Sequence, residues 1–179
     1  MGLFATLPVN EVMVQDIAAA VEMTPAAVYY HFASKEQILV EGMQQFRDEL
    51  LDLVREHLPE EGDESGIRSL VTEIVSWVRT RRTYATVYYV NSMGLNMMVE
   101  ALRRDTRAQL IDSFRIAVTA ARGRTSPAEA SVIAVGLVSL VETAIASMLN
   151  QDSSYRAIGA GRFPDEVAAT ADRMVGLTP

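Results

Sequence analysis

The chain of 179 residues has no cysteine, a single lysine (Lys35) and only two histidines (His31 and His57). These shortages exclude a disulfide framework, a thiolate metal site, a Cys-His catalytic pair, a phosphate-loop lysine and an HExxH zinc site. The sequence also lacks a Gly-x-Ser-x-Gly nucleophile motif. Carboxylate or serine chemistry stays open, but no motif favours it. We therefore expect no enzyme, no cofactor and no bound metal.

Aromatic residues make up 7% of the chain and hydrophobic residues 49%, with many Ala, Leu, Val and Met. No stretch alternates apolar and polar residues as a half-buried strand does. This composition, in a chain long enough to bury a sizeable core, predicts an all-α protein. The first residues show no basic segment leading into an apolar run, so we expect no export signal and a cytoplasmic location.

Residues 14–41 contain three helical patterns separated by two turns. The first pattern places apolar residues on one helical face, namely Val14, Ile17, Ala18 and Val21. The second begins at Thr24-Pro25, because a threonine hydroxyl caps free helix amides and proline suits the first helical turn. The third begins at Ser34, which forms a capping box with Gln37. This order predicts a helix-turn-helix unit.

The middle helix is typical of a DNA-recognition helix. It has room for about two turns before Phe32. Its outward side offers small and aromatic residues together: Ala26, Ala27, Tyr29, Tyr30 and His31. Small side chains let a helix approach base edges closely, so we interpret this segment as the DNA-reading element.

At these residues the chain resembles the TetR family of transcriptional regulators. The resemblance rests on Asp16-Ile17-Ala18, Thr24-Pro25, Val28 to Phe32, and Ala33-Ser34-Lys35-Glu36. It implies a helix-turn-helix DNA-binding domain over residues 1–45 and a helical ligand-binding and dimerisation domain over residues 46–179. It also implies a homodimer that binds double-stranded operator DNA and responds to a small-molecule effector.

The resemblance assigns DNA contacts to Gln15, Thr24, Ala26, Ala27, Tyr29, Tyr30, His31 and Lys35. In this assignment Gln15 and the two alanines face the bases, whereas the tyrosines, His31 and Lys35 meet phosphates and groove edges. Two positions have a structural alternative. Tyr29 can instead pack between helices, and His31 can be a half-buried histidine bonded to a backbone carbonyl.

Two features depart from the family pattern. Val12 and Met13 stand where a threonine cap is usual, and Gln15 stands where arginine is frequent. Leu3-Phe4-Ala5 resembles the end of the family's first helix, so we expect about two further helical turns upstream of it.

The net charge is -7, and residues 1–45 hold one lysine against five acidic residues, a local net charge of -4. Phosphate neutralisation dominates DNA affinity, so this balance predicts weak, salt-sensitive binding.

Further helices are predicted along the rest of the chain. The third helix runs on to His57, a solvated loop covers residues 60–66, and a core-facing helix follows to Val78. Another begins at Arg103 and ends near Gly123. A capping box at Ser126 starts a long helix to Asn150, a loop covers residues 152–162, and a last helix ends at Gly176. We interpret the basic run of residues 79–82 as a solvated helix end rather than a phosphate site.

A ligand pocket is predicted where aromatic and thioether side chains are dense. Methionine adapts its shape, and ligand pockets combine apolar walls with a few polar anchors. The resemblance places the effector cavity among the helices that this segment supplies. The predicted lining is Trp77, Tyr84, Tyr88, Met93, Met97, Phe114 and Val118, with an ordinary hydrophobic core as the alternative for the same residues.

The dimer interface is predicted in the last two long helices. Residues 131–149 are apolar enough to suggest a membrane span, but Ser139, Glu142 and Thr143 argue against one, and we expect no membrane partner. A helix apolar on nearly all sides is buried on two sides, and the resemblance implies that these helices pair across a two-fold axis. The predicted interface residues are Gly136, Leu140, Thr143, Val167, Ala171 and Met174.

Together these features predict a ligand-responsive transcriptional regulator, a repressor released from its operator by a small apolar or amphipathic effector. The alternative is a helical dimeric protein-binding or ligand-binding module that has lost DNA binding. The acidic balance of residues 1–45 is the feature that favours this alternative.

Overall fold

The computed structural model describes residues 1–123 and 125–176, which form helices, turns and loops with no strand among them. This confirms the all-α prediction. A π-helical turn, Val87–Asn91, follows the sixth α-helix. The α-helices are α1 Gly2–Thr6, α2 Val14–Ala20, α3 Pro25–His31, α4 Lys35–Glu56, α5 Gly66–Thr80, α6 Arg82–Thr86, α7 Met97–Arg122, α8 Pro127–Asn150, α9 Ser153–Ile158 and α10 Phe163–Val175.

Short polar side chains fix where several helices begin. The hydroxyls of Thr24, Ser34 and Ser126 accept hydrogen bonds from the third amide of α3, α4 and α8, at 3.2 Å in each case. These contacts satisfy amides that have no partner within the helix. Gly176 ends α10 in the left-handed conformation, with φ of 73°. The starts and the stop predicted from these residues are therefore present.

Two helix predictions in the body were wrong in extent. Helix α7 begins at Met97 rather than at Arg103, because the Asn96 side chain caps it by accepting from the Val99 amide at 2.9 Å. The predicted loop of residues 152–162 contains α9, which Asp152 caps through the Tyr155 amide at 2.9 Å. In both cases the helix begins at a capping residue, Asn96 or Asp152, that the prediction overlooked.

The main core lies among α4, α5, α7, α8 and α10. Its largest fully buried side chains include Phe46, Phe114, Leu137 and Ile145. By length and composition alone α8 could cross a membrane, although core helices of soluble proteins pass the same test, and 44% of its most apolar segment is already buried in this fold. Helix α8 packs against α7 and α10, so it serves as the central helix of the body.

The helix-turn-helix unit has a small core of its own, made of Val14, Ala18 and Val28. Val21 was predicted to join this face, but it is 55% exposed because α2 ends at Ala20. The unit is tied to the body through α1, whose Phe4 is buried in the main core. Helix α4 runs without a break through the boundary proposed at residues 45 and 46.

Candidate nucleic-acid interface

The turn between α2 and α3 holds the two helices in a fixed relation. Glu22 has a positive φ of 56°, and the Met23 amide donates to the Ala18 carbonyl at 2.9 Å. A left-handed residue followed by such a bond ends a helix in one defined way. The Thr24 cap then starts α3 immediately. Local backbone chemistry therefore sets the direction of the recognition helix.

The start of α2 uses a different cap from the threonine of the family pattern. Met13 occupies the cap position, and its amide donates to the Asp16 carboxylate at 3.1 Å. This bond is the carboxylate half of a capping box, in which an acidic residue at the third helical position reaches back to the cap amide. Asp16 therefore supplies part of the helix start in the absence of a threonine.

The outward face of α3 is free in the protomer. Tyr30 is 85% exposed and Tyr29 is 55% exposed, while Ala26, His31 and the α2 residue Gln15 are also exposed. The Tyr30 and His31 rings meet edge to face, with centroids 5.2 Å apart. Only Val28 of α3 is buried. The exposure of Tyr29 and His31 disagrees with the packed alternatives considered for them.

Lys35 is placed differently from the phosphate contact that the resemblance implies. Its ammonium donates to the backbone carbonyls of Val9 at 2.8 Å, Asn10 at 3.2 Å and Val12 at 2.7 Å. An ammonium has three donors, so this loop between α1 and α2 uses all of them. Lys35 therefore holds the loop in place and does not present a free cation to a phosphate.

The body residues predicted to line one pocket fall into two groups. Phe46 joins Trp77 and Tyr88 in a packed cluster, with ring centroids 5.1 and 5.2 Å from its own. Phe114 and Val118 are also buried, and Tyr84 is half-buried. Met93 and Met97 do not join them, since they are 64% and 88% exposed. The structure therefore does not bring the seven residues together around a common cavity.

Met97 instead lines an open groove of about 890 Å³ between the first half of α4 and the start of α7, with Val40 and Met98. The reason is the early start of α7, which turns residues 97 and 98 outward at its first turn. Inside the body, burial raises the pKa of both Tyr88 and Tyr89 above the ordinary value of a tyrosine. Their rings pack edge to face, with centroids 4.9 Å apart.

Sequence reasoning missed a polar pocket between α7 and α8. Arg103 and Arg107 of α7 face Glu142 of α8 there, beside Tyr88. Arg103 and Arg107 are four residues apart, a spacing that places both on one helical face. This spacing could have indicated the pocket from the sequence. In the sequence these arginines indicate only the start of a helix.

The predicted dimer residues also divide. Ala171 is buried inside the protomer, where α10 packs against α5 and α8, so it is not available to a second chain, whereas Val167 borders the surface groove of α8, α9 and α10. Gly136 is covered by Met174, whose methyl group would lie 2.7 Å from an added Cβ. Leu140 and Thr143 do line an open surface groove of about 480 Å³ formed by α8, α9 and α10. Met174 is 39% exposed, so the pairing of α8 and α10 across a two-fold axis stays a prediction.

These elements form a helix-turn-helix unit that is attached to a helical body. A family model described as bacterial regulatory proteins, tetR family, matches residues 1–41. Residues 1–41 are therefore similar to the N-terminal part of the TetR family, whose members bind operator DNA and act as dimers. The match covers the DNA-binding domain and leaves the body without a family assignment of its own.

Two solved structures share the fold of the whole chain. The crystal structure of AmtR from Mycobacterium smegmatis is 24% identical, with a TM-score of 0.69, and the alignment covers 99% of this chain and 82% of that one. PfmR from Thermus thermophilus, a TetR family transcriptional regulator, is 19% identical with a TM-score of 0.67, covering 94% and 90%. Comparison with curated proteins by sequence finds no match.

Proposed function

We propose that this protein is a homodimeric repressor that leaves its operator when a small apolar or amphipathic effector binds the body. The observation that carries the proposal is the exposed face of α3, presented behind a fixed turn. A helix presented in this way fits the major groove, where side chains reach base edges. In this proposal residues 1–45 bind DNA and residues 46–179 bind ligand and form the dimer.

Each proposed DNA contact follows from its position. Ala26 and Ala27 let the first turn of α3 approach the bases, while Gln15 reaches them from α2. Tyr29, Tyr30 and His31 contact phosphates and groove edges with their exposed polar groups. Thr24 caps α3 through its hydroxyl, so its contribution is to set the helix start beside the phosphates. Lys35 contributes by holding the preceding loop.

The dimer surface proposed is the exposed side of α8 with the groove that Leu140 and Thr143 line. Val132 and Val135 of the same helix are 73% and 44% exposed, which leaves apolar area for a second copy of the chain to cover. A two-fold dimer fixes the separation of its two recognition helices. Effector binding that changes this separation lowers operator affinity by linkage.

A salt series on DNA binding tests the proposal. An operator is selected from a random DNA pool, and binding of the full chain is followed by fluorescence anisotropy at several salt concentrations. We expect specific binding that weakens with salt, and a loss of at least tenfold on Tyr30→Ala, since each base or groove contact contributes about 1–3 kcal/mol. Met97→Ala is the control, because Met97 is similarly exposed but lies in the body. Equal affinity of the two variants would contradict the assigned interface.

The second candidate is a dimeric helical module that does not bind DNA. It is favoured by one observation: residues 1–45 contain a single basic side chain, and the loop carbonyls occupy it. If this candidate is correct, selection from the random DNA pool enriches no sequence. This holds even at low salt, where the attraction between protein and DNA phosphates is strongest. The selection experiment therefore separates the two candidates directly.

A further inference from the structure

The open groove between the first half of α4 and the start of α7 is large enough for a small organic molecule. Its volume is about 890 Å³, within the range of about 300–1,000 Å³ that is usual for ligand pockets. One wall is the start of α4 with its capping residue, and the other is the start of α7 with its own cap. The lining residues are Ser34, Glu36, Gln37, Val40, Glu41, Gln44, Asn96, Met97 and Met98. A molecule in this groove therefore contacts both helices.

Methionine side chains supply much of the apolar surface of the groove. Met97 and Met98 line it and are both exposed, and Val40 adds apolar surface from α4. Exposed apolar side chains that share one surface often mark a place where a ligand or a partner binds. Methionine adapts its shape, and its sulfur makes favourable contacts with aromatic rings. This part of the groove therefore favours a ligand that carries aromatic groups.

The polar rim of the groove is acidic. Glu36 and Glu41 are exposed carboxylates of α4, and the residues that line the groove include no lysine, arginine or histidine. None of the ion pairs within residues 1–123 and 125–176 involves either carboxylate. The lining therefore has a net charge of -2, from these two side chains.

The charged groups nearest to the rim in the chain are bound elsewhere. The Lys35 ammonium donates to three backbone carbonyls of the loop between α1 and α2. Glu100, in the first turn of α7, lies 3.9 Å from Arg103. Glu41 accepts a hydrogen bond of 2.9 Å from the side-chain amide of Gln37, which is a neutral donor. The two rim carboxylates are therefore available to a cation from solution.

We infer that the effector is an organic cation with aromatic groups that binds in this groove, an inference that rests on the proposed function. Its positive charge lies near Glu36 and Glu41, and its aromatic groups pack on Met97 and Met98. The same rim repels carboxylates and phosphates. A small inorganic cation leaves the methionines uncovered, and a neutral apolar compound leaves the carboxylates without a partner. The combination of an acidic rim and an apolar floor therefore selects amphipathic cations.

The position of the groove connects such a ligand to DNA binding. Helix α4 begins directly after the recognition helix α3, and Lys35 at its first position holds the loop before α2. The ligand thus contacts the end of the DNA-binding domain as well as the body. A ligand bound to both walls favours one spacing of α4 and α7. Operator binding that requires a different spacing is weakened by linkage.

Calorimetry on the full chain, without DNA, tests the inference with three probes. Tetraphenylphosphonium carries both a positive charge and aromatic groups. Tetraphenylborate has the same shape with the opposite charge, and tetramethylammonium has the charge without the aromatic groups. We expect tetraphenylphosphonium to bind about tenfold or more tightly than either of the others, because each of them loses one of the two kinds of contact. Its binding should weaken as salt screens the carboxylates.

Variants of the lining residues separate the two kinds of contact. The double variant Glu36→Gln/Glu41→Gln keeps the shape of both side chains and removes their charge. We expect it to bind tetraphenylphosphonium about tenfold more weakly and tetraphenylborate no more weakly. Met98→Ala should weaken the binding of both ions severalfold, because both lose apolar contact.

Glu56→Gln is the matched control. Glu56 is also an exposed carboxylate of α4, but it lies roughly 22 Å beyond Glu41 along the same helix. Its substitution should leave the binding of all three probes unchanged. Thermal melting of each variant identifies any that unfolds.

Two results of the calorimetry would overturn the inference. One is equal affinity of the wild type for tetraphenylphosphonium and tetraphenylborate, and the other is unchanged affinity for the cation in Glu36→Gln/Glu41→Gln. Sedimentation velocity on the same samples tests a second copy of the chain as the occupant. In that case the wild type binds no tetraphenylphosphonium and Met98→Ala changes the oligomeric state, which would also overturn the inference.

Operator binding keeps this inference apart from the proposed function. We expect saturating tetraphenylphosphonium to lower the operator affinity of the wild type about fivefold or more, and to leave that of Glu36→Gln/Glu41→Gln unchanged. Cation binding with no change in operator affinity would refute the role as effector. A protein that binds operator but not the cation retains the proposed function and loses this effector class. A protein that binds the cation but no operator retains the groove as a binding site and loses the repressor function.

Discussion

Replacing Lys35 by methionine removes the ammonium that holds the loop between α1 and α2, while keeping a side chain of similar length. The wild-type ammonium donates to the carbonyls of Val9 and Val12 at 2.8 and 2.7 Å, both partly buried, and more weakly to Asn10. Hydrogen bonds that involve a charged group contribute about 1.5–3 kcal/mol each. The two shorter bonds, taken at the low end, give about 3 kcal/mol for holding the loop.

Water molecules replace the ammonium at these carbonyls and recover part of this energy. We therefore expect the ordered conformation of the loop to be destabilised by about 2 kcal/mol. If each half-site requires the ordered loop, operator affinity falls by roughly 30-fold per half-site. The salt dependence is the decisive quantity. A lost phosphate contact lowers the slope of log affinity against log salt by about 0.9 per contact. A lost loop contact leaves the slope unchanged.

The assay is fluorescence anisotropy with a selected operator at five or more salt concentrations. Arg55→Met is the matched control: Arg55 is an exposed cation on α4, paired with the exposed Asp52, and its loss changes the net charge equally. We expect weaker binding with an unchanged slope for Lys35→Met, and neither effect for the control. A slope reduced by about 2 per dimer, with the loop amides as protected from hydrogen exchange as in the wild type, would refute the loop role.

Three further substitutions test the packing. Thr24→Ala removes the cap of α3; chemical denaturation should show a loss of about 1 kcal/mol, and an unchanged midpoint would mean that water replaces the hydroxyl. Arg68→Met leaves the buried Asp172 carboxylate without its partner at 2.7 Å; we expect a loss of about 1–3 kcal/mol, largely restored by adding Asp172→Asn. Gly136→Ala adds a methyl that meets only the flexible end of Met174; the melting temperature should change little, because gained helix propensity of about 1 kcal/mol offsets the displacement. A large loss there would show that Met174 is fixed in place.

The helix-turn-helix unit could be predicted from the sequence because its helix starts depend on local contacts. Thr24 and Ser34 cap α3 and α4 through their hydroxyls. Each cap joins residues three positions apart, so it can be predicted without knowledge of the fold. The same holds for Ser126 and Gly176. The exposure of Tyr30 follows from the same short-range pattern. These local features were therefore predicted, whereas the equally local caps at Asn96 and Asp152 were missed.

The predicted pocket failed at one local cap, and the packing of α10 and the α7–α8 pocket depended on contacts between residues far apart in the sequence. Met97 was grouped with the buried aromatic residues by proximity in the chain, but Asn96 caps α7 immediately before it and turns Met97 outward. Ala171 has the apolar spacing of an interface, and the same spacing serves equally for packing on α5 within the protomer. Arg107 and Glu142 lie 35 positions apart, and only the pairing of α7 with α8 joins them.

The helix-turn-helix unit has a small core of its own, so its contacts with the body influence its orientation. Three buried side chains, Val14, Ala18 and Val28, form that core. The orientation of the unit therefore depends on its contacts with the rest of the chain. These contacts include the side chains of Phe4 and Val12, which are buried in the main core, and the polar contacts of Lys35 with the loop and of Asn91 with α1. A change in the π-helical turn acts on α1 through the Asn91 contact. Hydrogen exchange should show faster exchange in residues 3–13 of Asn91→Ala while the amides of α8 stay protected; equal protection of residues 3–13 in both proteins would mean that the buried Phe4 side chain alone holds α1.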